Sequence, residues 1–172
     1  LYSISGDVAR LADMLAECRS AGAYLVVDEA HSFGPYGAHG LGCAEAQGVL
    51  GGVDFIVGTF SKTLAGTGGF AVSAHPQLSL LHWAAKPYVF TASASPANVA
   101  SVAAALDVMQ RDRSLQARLW ENVRRVRSGL ARLGFAIGST DSPIVSIRIG
   151  SAERAVAMWR ALLEAGLYVN IV

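Results

Sequence analysis

The sequence predicts an α/β fold built on a mostly parallel sheet with helices on both faces. Helical and strand-like segments alternate along the first part of the chain, which is typical of this class. The strand-like segments at 24–27 and 54–58 are short, continuous apolar runs, as strands buried on both faces of a parallel sheet are. Ligands bind beyond the carboxyl ends of such strands, where Asp28 and residues 59–63 follow.

Composition restricts the classes of function. The 172 residues are 52% hydrophobic and 16% charged, so we expect a folded, densely packed domain. A net charge of +1 argues against binding to a phosphate backbone, so we expect no nucleic acid partner. Apolar stretches are interrupted before the length of about 18 residues that a membrane helix needs, so we expect a soluble protein. The two cysteines form no disulfide framework, which favours a reducing cytoplasm.

The first half of the chain contains two helix–strand pairs. Apolar residues at helical spacing over 8–18 predict an amphipathic helix that Asp7 caps and Gly22 ends. The strand at 24–27 follows. A glycine-rich stretch then leads to a short helix at 45–50 and to the strand at 54–58.

The second half is mainly helical. The pattern predicts a strand at 70–73, helices at 76–85, 96–111 and 114–133, a strand at 144–149, a helix at 151–165 and a terminal strand, with a break around Pro87. We interpret 1–133, which includes the long helix, as the C-terminal part of a large domain. Residues 134–172 then begin a small α+β domain that the chain does not finish. The first residue, Leu1, and the apolar end suggest a fragment.

Lysine usage singles out one residue. Lys62 and Lys86 are the two lysines among fourteen basic residues, and Lys62 lies between a strand and glycines 66, 68 and 69. A lysine that is partly desolvated at a strand end becomes a usable amine nucleophile. The alternative is a loop lysine that pairs with an acidic neighbour.

Two other sites compete for these residues. The sequence VVDEAH at 26–31 matches the strand-plus-acid motif of a DEAH-type ATPase. A P-loop, however, needs glycines where Ile56 and Ser61 stand, and a P-loop preceding Leu1 is left open. A zinc site at His31, His39 and Cys43 lacks paired ligand spacing, so we expect no metal.

A cofactor site accounts for these residues better. An aspartate at one strand end and a lysine at the next, with Thr59, Ser61 and a glycine-rich turn as donors, is the set that pyridoxal phosphate needs. The lysine would form the Schiff base, and Asp28 would keep the pyridine nitrogen protonated. His31 would lie near the ring.

The sequences VDEAHS at 27–32 and GTFSK at 58–62 resemble those of the α-oxoamine synthases, which are fold-type I pyridoxal-phosphate enzymes. The resemblance covers essentially the whole chain. It implies the large cofactor-binding domain of the aspartate aminotransferase-like fold. Sequences at 87–93, 68–70 and 158–170 favour the branch that joins L-serine to a long-chain acyl-CoA in the first step of sphingolipid synthesis.

The resemblance also implies roles for residues. Lys62 becomes the Schiff-base lysine, Asp28 the partner of the pyridinium nitrogen and His31 a donor to the ring hydroxyl. Thr59 and Ser61 would contact the phosphate. Thr91 would reach the phosphate site of a neighbouring subunit, which makes the active unit a homodimer. The family's ring-stacking histidine and its carboxylate-binding arginine would lie outside this chain, so we expect the chain alone to be inactive.

Several alternatives stay open. The substrate pair of another α-oxoamine synthase, of the 8-amino-7-oxononanoate synthase or glycine C-acetyltransferase type, fits the same motifs. A non-catalytic partner subunit would keep the fold, although the pair of Lys62 and Asp28 argues against it. Contact with a membrane surface to collect or release lipid is also open.

Overall fold

The structure is a computed structural model that describes residues 1–138 and 142–172. These residues form two compact units. The first consists of Leu1 and Val8–Glu121, and the second of Tyr2–Asp7 and Asn122–Val172. The predicted division into a large domain at 1–133 and a small one at 134–172 stays a prediction, and residues 139–141 of that range lie outside the described residues.

The first unit contains the sheet and most of the helices. Two 3₁₀ turns, Leu50–Gly52 and Pro76–Leu80, connect the longer elements. In chain order the helices and strands are α1 (Leu11–Ser20), β1 (Val26–Asp28), α2 (Cys43–Ala46), β2 (Phe55–Thr59), β3 (Gly69–Val72), α3 (Leu81–Ala84), α4 (Lys86–Val89), α5 (Pro96–Arg111) and α6 (Ser114–Arg132), whose last part belongs to the second unit.

The sheet has the order β1-β2-β3. Strands β1 and β2 are parallel, with Asp28 opposite Val57, which confirms the predicted parallel pair. Strand β3 returns antiparallel to β2, with Thr59 opposite Gly69. Because β1 and β2 run the same way, the segments that follow them leave the sheet at the same edge.

The core of this unit lies on one face of β1. Val27 of β1 and Leu25, the residue just before this strand, pack there against Leu11 of α1 and against α2. The prediction that this strand is buried on both faces is wrong, because the side chain of Val26 is 58% exposed. Successive side chains of a strand point to opposite faces, and α1 and α2 cover only the face of Leu25 and Val27.

The predicted cap of the first helix is also wrong. Helix α1 begins at Leu11, four residues after Asp7, and the residue before it makes no capping hydrogen bond. The Leu11 amide donates instead to Oε1 of Gln47 at 2.9 Å, and Nε2 of Gln47 donates to the carbonyl of Ala9 at 2.9 Å. A residue distant in sequence therefore provides the acceptor that the helix start requires.

The helices predicted at 45–50 and 76–85 have different bounds in the structure, because the backbone turns within these segments. The helix predicted at 45–50 is instead α2, which ends at Ala46, and Gly48 follows with φ +69°. The segment predicted as one helix at 76–85 starts at Pro76 as expected but is 3₁₀ as far as Leu80. The extended residue Ala85 then separates α3 from α4.

The long helices agree with their predicted bounds. Helix α5 has the predicted limits, and Oγ of Ser95 caps it by accepting from the Asn98 amide at 3.3 Å. Helix α6 ends one residue before the predicted position. In the second unit α7 (Ala152–Glu164) follows Ser151, whose side chain accepts from the Arg154 amide.

The two strands predicted in the second unit are wrong. In the described residues, the segment at 144–149 forms a single bridge, between Ile137 and Ile147, and the terminal segment 167–172 belongs to no strand. Alternating or apolar side chains favour an extended backbone, but a strand forms only where a second backbone supplies hydrogen bonds along its length.

Candidate active site

Two segments that follow neighbouring parallel strands form the candidate site. Asp28 is the last residue of β1 and is exposed, and its Oδ1 accepts from the Ala30 amide at 2.7 Å. Thr59 is the last residue of β2, and the exposed Lys62 follows three residues later. The fold therefore places the carboxylate and the amine at the same edge of the sheet, as the strand pattern predicted.

His31 is close enough to both groups for their charges to act on it. Burial lowers the pKa of the His31 imidazole, the positive charge of Lys62 lowers it further, and Asp28 opposes the shift. Because an unperturbed histidine already titrates near pH 6.5, His31 is mainly neutral at pH 7. The neutral ring has one N–H donor and one acceptor nitrogen.

Glu29 supports the segment that bears Asp28 and His31. Its side chain is fully buried, and its carboxylate accepts from the Ser32 hydroxyl and from the amides of Cys43 and Ala44 at 2.9 and 2.8 Å. A Cβ on Gly42 would collide with this carboxylate. The sequence pattern predicts no separate role for Glu29, and the nearby Gly42 is the one local signal of a close approach.

The segment around Lys62 is a closed loop between β2 and β3. The Phe60 amide donates to the carbonyl of Gly68 at 2.9 Å, and the Gly66 amide donates to the carbonyl of Phe60 at 2.8 Å. The hydroxyls of Thr59 and Ser61 lie 2.8 Å apart. The structure therefore places Thr59, at the end of β2, next to Ser61 and Lys62 of this loop.

Two side chains attach this loop to its surroundings. Oγ1 of Thr63 donates to the carbonyl of Phe33 at 2.6 Å, which links the Lys62 loop to the segment that follows Asp28. On the other side, Oδ1 of Asn98 accepts from the Thr67 amide at 2.8 Å, and its Nδ2 donates to the Thr67 carbonyl at 2.7 Å. Neither contact was predicted, because each joins residues about thirty positions apart.

Thr91 is not part of this cluster in the described structure. It is exposed, and its hydroxyl donates to the carbonyl of Pro87 in the preceding turn. Within residues 1–138 and 142–172, no three His, Cys, Asp or Glu side chains are arranged as a metal site. In the same residues no helix has the length and apolar character to cross a membrane.

Comparison with known proteins identifies the family. The chain matches the family described as aminotransferase class I and II over residues 4–171. The chain belongs to this family. It is 49% identical over 171 residues to serine palmitoyltransferase from Caulobacter vibrioides, a match that covers 99% of this chain and 42% of that protein. The match to 8-amino-7-oxononanoate synthase from Anaeromyxobacter dehalogenans is 38% over 172 residues, covering all of this chain and 43% of that protein.

Solved structures of the family also resemble the structure of this chain. A high-resolution structure of serine palmitoyltransferase with pyridoxal phosphate as internal aldimine matches with a TM-score of 0.97 and 44% identity, covering all of this chain and 44% of that one. This likeness confirms the predicted fold, a part of the large domain of the aminotransferase class I and II family. The chain spans less than half the length of these relatives.

Proposed function

We propose that this chain is the lysine-bearing part of a pyridoxal-phosphate enzyme of the α-oxoamine synthase type. The enzyme would join L-serine to a long-chain acyl-CoA with loss of CO₂, to give a 2-amino ketone. One observation carries the proposal: Asp28, His31 and Lys62 lie at or just beyond the carboxyl ends of two neighbouring parallel strands, and the charges of Asp28 and Lys62 both act on His31. The 49% identity to a serine palmitoyltransferase supports the choice of substrates.

The residues present suit pyridoxal phosphate. An exposed carboxylate, an exposed amine and two adjacent hydroxyls match the pyridine nitrogen, the aldehyde and the phosphate of that cofactor. When bound, the cofactor supplies an electron-withdrawing ring that stabilises a negative charge on the Cα of the amino acid. Lys62 would hold the aldehyde carbon, Asp28 the protonated ring nitrogen, and Thr59 and Ser61 the phosphate.

The side chains of this chain would then act on the proton and on orientation. Once substrate frees it, Nζ of Lys62 would take the Cα proton as a general base. The carboxylate of Asp28 would keep a proton on the ring nitrogen, because an adjacent negative charge favours the protonated form. The neutral His31 would donate its N–H to the ring hydroxyl and so fix the orientation of the ring.

A second candidate within the family is an 8-amino-7-oxononanoate synthase type of reaction, with a different amino acid and acyl group. The 38% identity to such an enzyme favours it as the alternative. A non-catalytic partner subunit would have no need for Lys62. The ATPase hypothesis likewise gives Lys62 no role.

The partners and the location are part of the same proposal. We infer a homodimer in which Thr91 of one subunit serves the phosphate site of the other. A membrane contact has no support among these observations and is not part of the proposal. A cytoplasmic location rests on cysteine usage alone and stays a prediction.

The deciding experiment uses the complete enzyme that contains this chain. The enzyme is reduced with borohydride in the presence of pyridoxal phosphate, and the modified peptide is identified by mass spectrometry. We expect the pyridoxyl group on Lys62 and none on Lys86, which serves as an internal control of the same residue type. An unmodified Lys62 would overturn the catalytic assignment and favour the partner-subunit alternative.

Activity measurements then test the substrates. We expect Lys62→Ala to lose condensation of serine with palmitoyl-CoA by several orders of magnitude, because it removes both the anchor of the cofactor and the base. Lys86→Ala should keep most of it. Product from alanine or glycine, with none from serine, would favour the second candidate.

A further inference from the structure

The loop that bears Lys62 contains a backbone conformation that its surroundings must maintain. Ala65, three residues after Lys62, has φ +48° and is the one residue other than glycine with positive φ in the described chain. This conformation brings the Cβ of an L residue close to its own backbone. Such conformations persist where neighbouring contacts hold them, and they occur often at functional sites.

Asn98 provides the contact that holds this loop from outside. Its side chain both accepts from the amide and donates to the carbonyl of Thr67, at 2.8 and 2.7 Å. Thr67 follows Ala65 by two residues, and the next residue, Gly68, closes the loop on Phe60. An amide side chain can donate and accept at once, whereas an aspartate can only accept.

Asn98 itself lies on helix α5. It lies in the first turn of α5, a helix of 16 residues that the side chain of Ser95 caps. Val102, one turn further along the same helix, is buried and packs where a Cβ on Gly66 would collide with it. The helix therefore presents Asn98 and Val102 together to the segment that follows Lys62.

We propose that Asn98 is a positioning residue for Lys62. The catalytic consequence of this inference rests on the proposed function, whereas the hydrogen bonds between Asn98 and Thr67 do not depend on that function. The hydrogen bonds of Asn98 to Thr67 maintain the turn at Ala65. This turn sets the direction in which the side chain of Lys62 extends from the loop. Asn98 touches none of the reacting groups and acts through the loop alone.

The first test compares variants of the complete enzyme. Asn98→Ala and the nearly isosteric Asn98→Asp should both slow the formation of the borohydride-stable pyridoxyl group on Lys62. They should also lower kcat with little change in KM for serine. The expected loss is on the order of 100-fold, which a displacement of about 1 Å at a reacting group can produce. Leu106→Ala is the control, because it removes a half-buried side chain about 12 Å further along α5.

A second variant separates positioning from general stability. Glycine adopts positive φ without strain, so Ala65→Gly should partly restore the labelling rate and kcat when combined with Asn98→Ala. A merely structural role of Asn98 predicts no such rescue. Labelling of Lys62 at the parental rate in Asn98→Ala, or an equal loss in Leu106→Ala, would overturn the proposal.

Hydrogen exchange distinguishes a failure of the proposed function from a failure of the positioning role of Asn98. If the parental enzyme forms no pyridoxyl group on Lys62, the proposed function fails, but exchange of the Phe60 and Gly66 amides can still be measured without cofactor. Faster exchange of these amides in Asn98→Ala, with the remaining helices unchanged, supports Asn98 as the residue that positions Lys62. Unchanged exchange rejects it whatever Lys62 reacts with.

Discussion

At the scale of single residues, Asp28 and Glu29 are neighbouring carboxylates in opposite surroundings. Asp28 is exposed at the end of β1 and accepts one backbone hydrogen bond. Glu29 is fully buried and accepts from one hydroxyl and two amides. Because successive residues of an extended chain point to opposite sides, one carboxylate is available to a ligand and the other secures the segment behind it.

This contrast leads to a matched pair of variants. Glu29→Gln places an NH₂ group among donors that all point at the carboxylate, so at least one buried donor loses its acceptor. We expect a loss of about 1–3 kcal/mol in the free energy of unfolding, measured by urea denaturation. Asp28→Asn keeps its acceptor oxygen and should change this free energy by less than about 0.5 kcal/mol. Equal effects of the two changes would contradict the assigned role of Glu29.

At the scale of elements, contacts from distant parts of the chain fix where helices and strands begin. Helix α1 starts where Gln47 accepts from the Leu11 amide. Strand β2 starts next to Asp54, whose buried carboxylate accepts from the Leu25 amide at 2.8 Å and pairs with His75 and Arg19. Each contact joins the start of one element to a residue next to another element, Gln47 just after α2 and Leu25 just before β1.

The cap of α1 can be tested directly. Gln47→Ala removes the acceptor for Leu11 and the donor to Ala9, and we expect a loss of about 1–2 kcal/mol in the free energy of unfolding, as for other helix caps. Asp7→Ala, at the cap that the sequence predicted, should have no more than about 0.5 kcal/mol of effect. A larger effect at Asp7 than at Gln47 would show that the helix starts earlier in solution.

The Asp54 contacts predict a dependence of stability on pH. The hydrogen bonds from the Leu25 amide and from His75, together with Arg19, lower the pKa of Asp54 to about 2, below its ordinary value of 3.8. A depressed pKa contributes stability that is present above the ordinary value and lost as the pH falls through the folded value. We therefore expect unfolding experiments to show stability decreasing from about pH 4 to pH 2.

The matched variant for this effect is Asp54→Asn. It should be less stable than the parent at neutral pH, and the difference should shrink as the pH approaches 2. A constant difference across this range of pH would show that the charge of Asp54 makes no contribution.

At the scale of the whole molecule, the chain exposes apolar side chains in the sequence segment that contains Thr91. Trp83 and Phe90 are 86% and 84% exposed, and they flank α4. Large exposed aromatic side chains of this kind are enriched at protein–protein interfaces. They agree with the proposal that this segment faces a second copy of the enzyme, to which it would bring Thr91.

Mixed dimers test this arrangement. If Thr91 serves the site of the partner, a dimer of one Lys62→Ala subunit and one Thr91→Val subunit contains one intact site and one doubly damaged site. Random mixing in a twofold dimer should then restore about a quarter of the parental activity. A mixture of Lys62→Ala with Asp28→Asn should restore none, because both residues come from the same chain. Equal results for the two mixtures would contradict a shared site.

The sequence by itself determined those features that depend on neighbours within a few residues. The bounds of α5, α6 and α7 lie within one residue of those that helical spacing predicts, and in the structure Ser95 and Ser151 cap α5 and α7 locally. The placement of Asp28 and Lys62 at strand ends follows from two short apolar runs, since parallel strands end at a common edge.

Only the tertiary structure decided the features that join distant residues. Three contacts connect segments that lie 14 to 36 positions apart. They are the cap that Gln47 provides for α1, the burial of Glu29 against α2 and the hydrogen bonds of Asn98 to Thr67. Apolar residues at 144–149 and 167–172 likewise predicted strands, but no ladder formed for them in the described chain. Local patterns state which backbone a segment favours, whereas hydrogen-bond partners from elsewhere in the fold decide whether it forms.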